Sequence, residues 1–235
     1  MAGTATGARS GRPETYFLPS RNAHCRSIFQ PPMSKTLLVT GFGPFPGAPV
    51  NPTGPLALRL ARLRRPAFAQ TRRISHVFPT SYAAIERDLP VLIARHRPDA
   101  VLMFGLATRT RHPRIETRAS NAISTVFADA ERRKSTTIVL TPGGPAFMPV
   151  RAPSMSLRQA ARASRVPAVL SRDAGRYLCN ALFWRALETG EQHGGPRVVA
   201  FVHVPLLRGD LNLADLVRAG EAIMLAVLAA ARRPR

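Results

Sequence analysis

The stretch Val198-Val-Ala-Phe-Val-His-Val204, followed by Pro205, decides the fold of this chain. It is an unbroken β-branched and aromatic run, the pattern of a strand buried on both faces of a parallel sheet. Ala100-Val-Leu-Met-Phe104 repeats the pattern, and Thr36 to Thr40 and Arg72 to Phe78 read as two further strands. Between these strands lie helical periods. One helix opens at Asn51-Pro-Thr53 and runs to about Leu63, and a second is capped by Thr80 or Ser81 and kinked at Pro90. Further periods run from Met155 or Ser156 to Arg165 and from Leu213 to Leu228. Ala168 to Leu170 is a short strand, and Arg114 to Ser124 is expected to pair with Thr136 to Leu140 as an irregular β excursion. Alternating strands and helices imply an α/β fold: a three-layer α/β/α sandwich with a mostly parallel central sheet.

Working outward from the first run, His203 sits at its C-terminal end, where open α/β sheets place their chemistry. Upstream, Asp173-Ala-Gly-Arg-Tyr-Leu-Cys-Asn-Ala-Leu-Phe-Trp184 carries a polar turn into an apolar helical pattern. Asp173 caps the helix if it starts early. If the helix starts after Gly175, Cys179 falls in its first turn, where unpaired N–H groups and the helix dipole favour a thiolate. Taken singly, each residue has a plain structural reading: a core cysteine, a partly buried histidine, and at Glu116 a surface carboxylate.

Taken together, they resemble the pyroglutamyl-peptidase I (pyrrolidone-carboxylate peptidase) family of cysteine peptidases. The resemblance begins at Thr40-Gly-Phe-Gly-Pro-Phe-Pro-Gly47 with Asn51-Pro-Thr53, similar to that family's Gly-Phe-x-Pro-Phe-Gly…Asn-Pro-Ser/Thr opening. It continues through Glu116 and Asn121, the Cys179-Asn180 segment, and His203-x-Pro205. The resemblance implies Cys179 as nucleophile, His203 as its acid–base partner and Glu116 as the group orienting the imidazole. It implies that Phe42 and Phe45 flank a pyroglutamyl ring, and that no metal or other cofactor is needed. None of the six histidines forms a spaced zinc pair.

Four departures cluster around the implied substrate pocket. Gly105-Leu-Ala-Thr-Arg-Thr110 stands where the family has Gly-Gln-Ala-Gly-Gly-Arg, which places Leu106 in the pocket. Thr117 replaces an arginine, and Tyr177 replaces a phenylalanine two residues before the cysteine. The family's Asp-Ala-Arg-Ile-Pro-Asp-Asn segment shrinks to Phe127-Ala-Asp-Ala-Glu-Arg-Arg133, with Asp129 the retained carboxylate and the second candidate to orient His203. An amidase of the same fold acting on another small cyclic or acyl amide is therefore the rival enzyme reading.

The 235 residues suit one well-filled domain with a tail, and 45% apolar residues exclude a disordered chain. Residues 1–32 lack any hydrophobic period and read as a disordered extension to the domain at 33–235, with Met33 an alternative start. The net charge of +21 is almost wholly arginine and raises a third reading, a basic RNA- or polyanion-binding protein. The arginines are spread along the chain without a recognition helix or RNA-binding aromatic signature, so a nucleic-acid partner is disfavoured. Cys25 and Cys179 cannot make a disulfide framework, which suits a reducing cytoplasm. No apolar run reaches the ~18 residues that a membrane span requires. The expected partners are thus a peptide or small-amide substrate, with room for a homo-oligomer.

Overall fold

The computed structural model describes residues 1–3, 34–45, 47–192, 194–209 and 211–233. The chain divides into two units, Met1–Met33 and Ser34–Arg235, and the fold described below is that of the second. Residues 4–32 of the expected extension, Cys25 among them, lie outside the described residues.

In chain order the elements are β1 (Lys35–Phe42), α1 (Thr53–Arg62), β2 (Thr71–Phe78), α2 (Tyr82–His96), β3 (Ala100–Leu106), β4 (Arg114–Glu116) and β5 (Arg118–Ser120). They continue with β6 (Phe147–Pro149), α3 (Ser154–Ala163), β7 (Val169–Ser171), α4 (Leu178–Glu191), β8 (Val198–Val204) and α5 (Leu213–Arg232). Six strands form one sheet in the order β2-β1-β3-β8-β4-β7. Its pairings are parallel except β4 against β8.

Strand parity sorts the two cores. Leu37, Val39, Leu102, Phe104, Ala200 and Val202 pack with α1, α3 and α5. Leu38, Val101, Met103, Val199 and Phe201 pack with α2 and α4. Because side chains alternate along a strand, the apolar runs feed both layers at once. The result is the expected three-layer sandwich. The same parity puts Gly105 and His203 on the α4 face, directly opposite each other in the β3–β8 register.

Local chemistry fixes the ends. Ser81 Oγ accepts from Ala84 N at 3.1 Å and caps α2, which runs through Pro90 without ending. Asn212 and Asp215 form a reciprocal capping box on α5. The Asn51-Pro-Thr53 motif ties the loop after β1 to α1. Asn51 Nδ2 donates to Gly43 O (3.0 Å), and Thr53 Oγ1 accepts from Phe42 N (2.9 Å).

The β excursion differs from expectation. Arg114–Glu116 joins the main sheet, while Arg118–Ser120 pairs with Phe147–Pro149 as a separate two-stranded sheet. Segment 136–140 forms no strand: Ile138 is 72% exposed, and of the segment's apolar residues only Leu140 packs against the core. Asn121 holds this segment instead: Oδ1 accepts from Leu140 N and Thr141 N, and Nδ2 donates to Thr141 O.

Candidate active site

Helix α4 starts at Leu178 after an extended Tyr177, so the late start is the correct one and Cys179 is its second residue. Asp173 does not cap the helix. Its Oδ1 accepts from Gly175 N at 2.9 Å, and Gly175 takes the positive φ (80°) that turns the chain into α4. First-turn N–H groups have no acceptor within their own helix, so they point an unpaired donor set at the start of α4. Asn180, fully buried, locks that turn in place. Its Oδ1 accepts from Ser120 N (2.9 Å), and its Nδ2 donates to Ser120 O (2.8 Å) and Ala122 O (2.9 Å).

Glycine at 105 is what lets the cysteine approach the sheet. A Cβ there would lie 2.7 Å from Cys179 Sγ and 2.7 Å from Phe201 Cζ, closer than real contacts allow. Gly105→Ala is therefore expected to displace the sulfur and overpack the site, costing about 1–3 kcal/mol of stability. A sulfur moved by about 1 Å costs on the order of 10²-fold in turnover. Melting temperature and kcat of the purified variant check both effects.

His203 completes the arrangement. Strand β4 is antiparallel to β8, with Arg114 opposite His203, so Glu116, two residues on, keeps the same face. His203 Nδ1 lies 2.8 Å from Glu116 Oε1, and both side chains are buried. Burial alone would push the imidazole pKa down. Its hydrogen bonds to Cys179 and Glu116, with the charge on each, outweigh burial and raise it to about 9. Arg114 Nη2 stands 3.2 Å from the same Glu116 oxygen and also donates to Ser171 Oγ (2.7 Å) and to the Asp173 carbonyl. Glu116 Oε2 is buried without a partner.

Cys179 and His203 open onto one cavity of about 460 Å³, whose walls include Leu106, Thr108, Arg109, Arg114 and Tyr177. A cysteine at a helix start, an imidazole beside it and a carboxylate on the far ring nitrogen form the constellation of a thiol hydrolase.

Residues 35–222 match the pyroglutamyl peptidase family, peptidase C15. The chain belongs to that family. Among its relatives, the pyrrolidone-carboxylate peptidase of Thermococcus kodakarensis is 32% identical over 169 residues, covering 72% of this chain and 80% of its own. Pyrrolidone-carboxylate peptidase 1 of Ralstonia nicotianae is 33% identical over 172 residues, covering 73% of this chain and 79% of its own. A solved structure of a mutant pyrrolidone carboxyl peptidase from Pyrococcus furiosus superposes with a TM-score of 0.76 at 25% identity. It covers 83% of this chain and 98% of its own. The chain is a cysteine peptidase of the pyroglutamyl peptidase family, and a peptidase acts on peptide substrates.

The residues carried over from the family pattern fall in three places. Cys179, His203, Leu106 and Tyr177 share the cavity, with Glu116 behind His203. Phe42 is buried 6.1 Å from the Phe78 ring, and Phe45 is half-buried on a loop bridged to Ala48, so neither lines that cavity. Asp129 is occupied elsewhere, accepting from Tyr82 N, Glu131 N and Arg133 N, while Glu116 holds the imidazole. The Tyr177 hydroxyl donates to Ala128 O at 2.7 Å, which leaves it a lone pair but no proton for a ligand. Burial, with the nearby Asp129 and Cys179 charges, raises its pKa. Sequence reasoning missed Arg114, although a cation two residues from Glu116 on one strand necessarily shares its face.

Proposed function

We propose that the chain hydrolyses the amide bond after an N-terminal pyroglutamyl residue, with Cys179 as nucleophile, His203 as proton carrier and Glu116 as its orienter. The observation that supports this most is the His203–Glu116 bond of 2.8 Å behind a helix-start cysteine. The Cys179 thiolate attacks the pyroglutamyl carbonyl carbon, and first-turn N–H groups of α4 hold the resulting oxyanion. His203 gives its proton to the leaving amine as the C–N bond breaks, leaving a thioester. Water then attacks the thioester, His203 takes its proton, and pyroglutamate departs as the thiolate reforms. Phe42 and Phe45 bear on the site only through the loop after β1, since Phe42 packs into the core and neither ring lines the cavity. Leu106 and Tyr177 form the wall that differs from the family pattern.

A panel of fluorogenic N-blocked amides tests this reading. The pyroglutamyl amide is expected to have the highest kcat/KM. A higher value for an acetyl, prolyl or larger lactam amide would transfer the assignment to an amidase of the same fold.

The proposal includes a cytoplasmic location suited to a free thiol, a homo-oligomeric state, and no nucleic-acid partner. No helix among the described residues is long and apolar enough to cross a membrane. It also takes 33–235 as the whole peptidase domain. A chain beginning at Met33 is expected to match the full chain in kcat/KM and to melt within about 2 °C of it, since ~1 kcal/mol moves the midpoint of a domain this size by roughly 2–4 °C. A larger drop would show that the first 32 residues pack on the domain.

A further inference from the structure

We propose that arginines flanking the Cys179 cavity form a track for acidic residues on the leaving side of the scissile bond. The substrate class is then a pyroglutamyl peptide with carboxylates at its second and third positions. This rests on the pyroglutamyl reading above.

Two cavities carry the argument. The first holds the nucleophile and is lined by Arg109 and Arg114. The second, of about 670 Å³, is lined by Arg118, Arg172 and Arg176. Asp173 belongs to both linings, so the two adjoin at the turn that leads into α4. Among the described residues, Arg109, Arg118, Arg172 and Arg176 form no ion pair, and only Arg114 is matched, to Glu116. Arg118 is held in place over the Phe147 ring (3.7 Å) and by its bond to Arg172 O (2.9 Å). Four guanidinium groups without an ion pair, Arg109, Arg118, Arg172 and Arg176, thus share these linings with one carboxylate, Asp173, and a guest bearing carboxylates would pair with them.

Substrate chemistry sets the direction. A pyroglutamyl residue is a neutral lactam without a free amine or a side-chain carboxylate. Every negative charge on such a substrate therefore lies beyond the scissile bond, where the leaving peptide must pass out of the first cavity.

The test compares amidated pyroglutamyl-Glu-Glu with pyroglutamyl-Ala-Ala. At low salt the acidic peptide is expected to have a kcat/KM about tenfold higher, as partly exposed ion pairs each contribute modestly. That ratio should collapse toward one near 1 M salt, where the screening length shrinks to about 3 Å. Joint substitution Arg172→Ala with Arg176→Ala should cut the low-salt ratio to about two. Arg62→Ala with Arg64→Ala, exposed positions lining neither cavity, removes the same charge and should keep the ratio. A wild-type ratio of one or below, or an equal fall in both double variants, overturns the proposal, because overall charge would then be the cause. A single-stranded oligonucleotide competing with the same arginine dependence would assign the track to nucleic acid and also overturn it. Failure of the pyroglutamyl reading is separately visible: neither peptide is cleaved, and the track falls with it.

Discussion

Cys179→Ala is expected to abolish turnover while leaving the fold intact. Removing a covalent nucleophile costs on the order of 10⁴–10⁶ in kcat, because the remaining groups have no partner to act on. The stability change should be small, since Cys179 is only partly buried and sits where a helix N-terminus tolerates a small residue. Measuring melting temperature beside kcat/KM on a pyroglutamyl amide separates the two effects. Cys179→Ser should be nearly as inactive, the hydroxyl being a far poorer nucleophile beside an imidazolium. Unchanged turnover in either variant would remove Cys179 from the mechanism.

Glu116→Gln should produce the second large change, read as a displaced pH profile. The imidazole of His203 is raised to about 9, so it stays protonated up to about that pH. The alkaline limb of kcat/KM is therefore expected near pH 9, reporting the coupled pair and not His203 alone. Glutamine removes the negative charge from the 2.8 Å contact. The imidazolium is then less stabilised, and the limb should move down toward the ordinary histidine value of about 6.5. A fall in kcat of about 10²–10⁴ should accompany it, as in other triads that lose their orienting acid. Stability follows the same sign. A raised folded-state pKa means that protonated His203 stabilises the fold. That contribution is complete below about pH 6.5 and is lost as pH rises through about 9. Wild type should thus lose more melting temperature between these values than Glu116→Gln does. Coincident profiles would show that Glu116 does not act on His203.

The layers, the strand order in the chain and the Ser81 cap of α2 were legible because apolar runs and that capping residue act locally, whereas the residues alone leave the start of α4 open between Asp173 and a point after Gly175. Cys179, His203 and Glu116 were legible only together, since each alone fits an inert role. What stayed hidden depends on register. That Gly105 faces the sulfur follows from its pairing with His203 across β3 and β8, and pairing partners cannot be read along one chain. The short strands β4 to β6 were misjudged for a related reason. With three residues each, they carry too little pattern to reveal their partners, and Asn121 substitutes side-chain bonds for the ladder expected at 136–140. Phe42 drew attention as a loop aromatic, yet it ends a buried strand and packs inward.

Strand β8 is the last strand in chain order, yet it lies in the interior of the sheet between β3 and β4. Until residues 198–204 are in place, β3 and β4 each offer an unpaired edge, and the β4–β7 pair has no neighbour to dock on. Closing that gap requires contacts spanning 87 residues, from Glu116 to His203, which makes it a late and slow event in folding. The same insertion delivers the His203 imidazole proposed as the acid–base partner. On the proposed mechanism, a partly synthesised or partly folded chain carries its thiol without its base, and peptidase activity is expected only once the sheet closes.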